Sequence, residues 1–146
     1  MEFRLVIDKT AEENITATVR ERTRLTDKVE ALVMAYNGSD SVTGFWEDEI
    51  KALYFADIEC VFVESGKTYA VLKNGSKYII KLRLYEIEKL LPTAFIKINK
   101  SAVGNMERIE RFKGTLSGAV NAVFRCGHIE YVSRRCFAEI KRRLTK

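Results

Sequence analysis

Apolar and polar residues alternate with a period of two at Phe3, Leu5 and Ile7 and again at Ile15, Ala17 and Val19. That pattern predicts two short, half-buried strands at the start of the chain. From Leu25 through Val29, Leu32, Val33 and Tyr36 the apolar spacing changes to helical, and Asn37-Gly38-Ser39-Asp40 supplies a stop, so one amphipathic helix follows. Residues 42–46 and 50–54 then read as a hairpin across Glu47-Asp48-Glu49. Residues 59–64, 68–72 and 77–81 are β-rich and separated by Ser65-Gly66-Lys67 and Asn74-Gly75-Ser76, which predicts a three-stranded meander with two tight turns. A short helix is expected over residues 82–91, closed by Pro92. Strands are expected near residues 95–98, 108–112, 119–125 and 128–132, with a terminal helix over 134–144. The fold class this implies is α+β, mainly β, preceded by a small strand and helix segment.

The 146 residues are enough to bury a core. A single Pro and eight Gly leave no room for a low-complexity linker. No apolar run approaches the length of a membrane span, and the start resembles no signal peptide. Cys60, Cys126 and Cys136 are odd in number and form no CxxC pair, so a disulfide framework is not expected and a reducing, cytoplasmic setting fits.

Charge adds direction to this picture. The net charge of +5 is unevenly spread: residues 1–50 hold 6 Lys/Arg against 11 Asp/Glu, whereas residues 94–146 hold 12 against 4. The first segment is therefore at −5 and the last at +8. A basic segment of this size points to an anionic partner, because releasing counterions from a polyanion gives affinity without any sequence reading. A solvated basic face would look the same by charge alone.

Two clusters sharpen the choice. Ser133 is placed to cap the terminal helix, and Arg134 and Arg135 then occupy its first turn. Cations there oppose the helix dipole by about 0.3–1 kcal/mol each unless an anion sits opposite. Phosphates and guanine edges are such acceptors; an internal pair with Glu130 or Glu139 is the alternative. The second cluster is Lys97-Ile98-Asn99-Lys100-Ser101-Ala102-Val103-Gly104-Asn105, where a strand end yields to small and polar residues before another strand. Taken alone this is an ordinary turn.

In combination these residues resemble the LytTR domain of bacterial regulators over residues 57–145. The resemblance rests on the meander, the helix closing on Leu90-Leu91-Pro92, the run from Phe95 to Asn105, and Val132-Ser133-Arg134-Arg135. Asn99 stands where the family usually has His, and Gly104 where it usually has Val. The resemblance implies an elongated β-fold that lays loops into successive major grooves of double-stranded DNA. Lys100 and Arg134 or Arg135 become base-reading candidates, with a third contact from the turn bearing Lys67. Asn99 keeps a hydrogen-bonding group, Ser101 would position the phosphate backbone, Asn105 the loop, and Ser133 the helix start. Lys97, Lys113, Lys141 and Arg142 are candidates for non-specific phosphate contacts, with a solvated face or a complement to the helix C-terminal dipole as the alternative. The organisation expected is an acidic segment over residues 1–56, serving association or regulation, and a DNA-binding domain over 57–146.

Residues 1–56 contain no sequence that looks like a receiver domain, so the chain resembles stand-alone regulators, expected to act as homodimers and to meet a regulatory protein partner, a membrane-bound one included. The rival is a protein-interaction module, an antagonist that keeps the fold. An enzyme is not expected: His128 is the only histidine, and no carboxylate pair or Gly-rich phosphate loop accompanies it. No cofactor or small-molecule substrate is implied. The set Cys126, His128 and Cys136 matches no structural zinc spacing, and no metal is expected.

Overall fold

The computed structural model describes residues 1–12, 14–36 and 40–145. The chain divides into two compact units, Met1–Met34 and Ala35–Lys146. The boundary expected after residue 56 lies instead within the second unit.

The expected helix is present as α1 (Arg24–Tyr36), which begins in the first unit. Thr23 and Thr26 close its start, with the Thr23 amide donating to Thr26 Oγ1 at 2.8 Å. Arg22 pairs with Asp27 and Glu30 in its first two turns. The strands expected at residues 3–7 and 15–19 are not formed: among the described residues before α1 there is neither strand nor helix. Two short strands without a third to cover their apolar face are at best marginal in water. Phe3, Leu5, Ile7 and Ile15 accordingly stand exposed.

The second unit opens with the expected hairpin, β1 (Ser41–Trp46) and β2 (Glu49–Tyr54). The meander follows as β3 (Ile58–Glu64), β4 (Lys67–Leu72) and β5 (Lys77–Ile80), then α2 (Leu84–Leu90). Next come β6 (Phe95–Asn99) and β7 (Ala102–Asn105), then β8 (Ile109–Gly114), β9 (Val120–Phe124), β10 (Ile129–Val132) and α3 (Arg134–Leu144). Seven strands form one antiparallel sheet in the order β2-β1-β5-β4-β3-β7-β6, and three form a second in the order β10-β9-β8. Because β1 pairs with β5, the hairpin at residues 41–54 belongs to the large sheet.

Period-two alternation assigns the two faces of that sheet. Val61, Ala70 and Leu72 turn to a core closed by Leu53, Phe55 and Ile87 of α2. Cys60, Phe62, Val71, Ile96 and Ile98 turn to the other, closed by Ala122, Phe124 and Val132 of the small sheet and Ile140 of α3. A bulge between Ile58 and Cys60 breaks the alternation and leaves Glu59 fully buried. Its carboxylate accepts from Arg108 Nε and from the Cys126 amide. This satisfied ion pair locks β3 against the start of β8.

Residues 102–105, read from sequence as part of a loop, are an inner strand between β3 and β6. Gly104 explains how the small sheet approaches so closely. A Cβ at Gly104 would overlap Ile98 Cδ1 and lie 2.7 Å from Phe124 Cζ, so a valine here would force these neighbours to shift.

Candidate nucleic-acid interface

Two turns and a helix start meet at one end of the large sheet. The β3–β4 turn places Ser65 at φ 51° and Gly66 at φ 76°, the pair of left-handed residues that a tight hairpin turn requires. Lys67 leaves this turn exposed. Beside it lies the β6–β7 turn, fixed by the Val63 amide donating to the Ser101 carbonyl at 2.8 Å. Within that turn Asn99 Oδ1 accepts from the Ser101 amide at 2.7 Å, and Asn99 Nδ2 donates to the Tyr131 carbonyl at 2.7 Å. Asn99 therefore shapes the turn and ties it to β10. Lys100, at the apex, is exposed.

The start of α3 is the third element. The Ser133 amide donates to the Ile98 carbonyl at 3.0 Å, which seats the helix start beside β6. Ser133 Oγ accepts from the Cys136 amide at 3.2 Å and caps the helix, as its position in the sequence suggests. Arg134 and Arg135 are exposed, and among the described residues neither has a carboxylate within 4.0 Å. The internal alternative is taken up elsewhere: Glu139 pairs with Arg142, and Glu130 turns to His128.

Lys67, Asn99, Lys100, Ser101, Ser133, Arg134 and Arg135 are thus brought together. Asn105 is not. It lies four residues along β7 from Ser101, about 13 Å at the usual strand rise, and is only 4% exposed. Its Nδ2 donates to the Ile58 carbonyl at 3.2 Å and its Oδ1 accepts from the Glu107 amide at 3.1 Å. Among the phosphate candidates, Lys97 lies 3.9 Å from Glu88, Arg142 pairs with Glu139, and Lys141 lies over the Phe137 ring.

Sequence reasoning also missed a group of side chains just inside this end. His128 stacks on Phe62 with ring centroids 5.0 Å apart, and its Nε2 lies 3.2 Å from Glu130 Oε1. The Cys60 thiol completes the group, and burial pushes it well above the ordinary thiol range. Cys60 and His128 are 68 residues apart, a separation that no ligand-spacing motif covers.

The LytTr DNA-binding domain family matches residues 48–145. The chain belongs to that family. Two Staphylococcus aureus relatives described as uncharacterized HTH-type transcriptional regulators are 33% and 32% identical over 125 residues, covering 84% of this chain and 84% of each relative. The LytTr DNA-binding domain of a methyl-accepting/DNA response regulator from Bacillus cereus superposes with a TM-score of 0.66 at 22% identity, covering 75% of this chain and all of that one. It shares the mainly β fold with short helices. "HTH-type" describes the relatives. In this LytTr member, α2 and α3 are separated by five strands, and no two helices among the described residues are joined by a short turn.

Proposed function

We propose that the chain is a sequence-specific transcription regulator that reads the major groove of double-stranded DNA with the turn carrying Lys100 and with the first turn of α3. The single observation that carries this reading is Arg134 and Arg135 standing at a helix start, where cations are disfavoured, with no carboxylate within 4.0 Å among the described residues. A duplex supplies what the fold withholds: phosphate oxygens and guanine O6 and N7, which Arg and Lys match. Lys67 adds a contact from the neighbouring hairpin, while Asn99, Ser101 and Ser133 hold the two reading elements in register. The family and the regulator names of the relatives point the same way.

Residues 1–34 fit an associating role. Their exposed Phe3, Leu5, Ile7, Ile15 and Leu32 are more apolar surface than so short a unit can bury by itself. A second copy of this chain is the partner proposed, since two half-sites raise affinity and specificity together. The full chain should select one family of duplexes from a random pool and retain it with an affinity that falls steeply with salt. Native mass measurement should give two chains per selected duplex. Weak retention without preference would instead favour a protein-binding antagonist built on the same fold.

A further inference from the structure

We infer that Cys60, His128 and Glu130 form a binding site for a divalent cation of the zinc class, set directly beneath the turn that carries Lys100. One ligand atom from each residue lies within 4.8 Å of the other two, a spacing that small side-chain adjustments close to a tetrahedral site with one open position. Thiolate, imidazole and carboxylate together suit a borderline cation such as Zn²⁺ better than Mg²⁺ or Ca²⁺, which prefer oxygen.

Two further features set this group apart from ordinary core. The first is electrostatic. Glu59 and Glu130 are both sequestered carboxylates, but Glu59 has Arg108, whereas no Lys or Arg among the described residues comes within 4.0 Å of Glu130. Glu130 is part-buried and is met by His128 and, at 3.5 Å, by the Asn99 amide, neither of which is a fixed positive charge; a dication supplies one. The second is the shell around the site. Asn99 Nδ2 lies 3.5 Å from Glu130 Oε2, an outer-shell donor that orients a ligating carboxylate. The Phe62 and Phe124 rings flank His128 and fix its plane. The His128 and Glu130 side chains remain 14% and 18% exposed, which gives the cation a way in, and the Cys60 thiol releases its proton to solvent as it takes the metal.

Asn99 connects this site to the surface. It bridges Glu130 to the Ser101 amide and the Tyr131 carbonyl, so fixing Glu130 orders the β6–β7 turn. On the function proposed above, that turn reads DNA; the site itself does not depend on that reading.

Co²⁺ added to the full chain without DNA tests the site. One equivalent should give a thiolate-to-cobalt charge-transfer absorption, and Zn²⁺ should displace it. Cys60→Ala should abolish the absorption, and His128→Gln and Glu130→Gln should weaken binding by at least about 10-fold; Cys136→Ser should leave it unchanged. Were Cys60→Ala not to fold, Glu130→Gln carries the same decision. Zn²⁺ should also slow amide exchange at Lys100 and Ser101. Absence of the absorption, its survival in Cys60→Ala, or unaltered binding in Glu130→Gln overturns the site. Zn²⁺ binding with no change in exchange at the turn overturns its link to the surface.

Discussion

Asn99 stands just before β7 and Asn105 ends it, and the two do the same local work. Each accepts a hydrogen bond from the amide two residues on, and each donates to the carbonyl of a neighbouring segment, Tyr131 for Asn99 and Ile58 for Asn105. What differs is the charge around them. At the Asn105 end the cation, Arg108, is matched by the buried Glu59. At the Asn99 end Lys100, Arg134 and Arg135 are exposed with no carboxylate in reach among the described residues. One end uses its polar groups to hold the sheets together; the other leaves its cations unmatched among the described residues, and on the function proposed above these meet DNA. Identical residue types therefore divide into structural and functional by what their neighbours leave unmatched.

The sharpest way to break the comparison is at the structural end. Glu59→Ala leaves Arg108 and the Cys126 amide without their acceptor and should cost about 3–5 kcal/mol of unfolding free energy in denaturant titration. Arg134→Ala in the same titration should cost less than about 0.5 kcal/mol, as expected of an exposed side chain with no partner; equal losses would erase the distinction. Gly104→Val comes next, because the added methyls collide with Ile98 and Phe124. Overpacking of this kind costs about 1–3 kcal/mol. A second change, Phe124→Leu, should recover part of it, a coupling that a double-mutant cycle reads directly.

The two asparagines give a paired test. Asn99→Ala and Asn105→Ala should each lose about 1–3 kcal/mol of stability, since each leaves backbone groups unmatched. Only Asn99→Ala should also alter the choice among duplexes in a binding competition. Toward the lower end of the structural effects, Ser133→Ala should cost about 1 kcal/mol through loss of the helix cap, seen as a lowered unfolding midpoint. It should also soften, without abolishing, duplex preference.

Local pattern made most of the second unit legible. Alternation and Gly-bearing turns marked β1 to β6, and the stop at Pro92 and the cap at Ser133 marked α2 and α3 to within two residues. The same alternation misled at residues 3–7 and 15–19, because period two reports a preference and not the presence of a pairing strand. β7 was obscured by its composition: Ala102, Gly104 and Asn105 look like a turn, yet small residues are what the approach of Phe124 demands. The grouping of the Lys100 turn with the start of α3 came from family resemblance, and the fold supplies its bonds through Asn99 and Ser133. The Cys60, His128 and Glu130 group was invisible, because only the packing of the small sheet on the large one joins β3 to β10.

The central claim is that the cations left unmatched at the Asn99 end read bases. Its most direct test is the affinity of the Lys100→Ala and Arg134→Ala variants for a duplex selected by the full chain and for a scrambled duplex of equal length and salt. Each variant should lose about 1–3 kcal/mol on the selected duplex and clearly less on the scrambled one. Equal losses on both would show that these side chains grip phosphates alone, and no loss on either would place DNA recognition elsewhere on the protein.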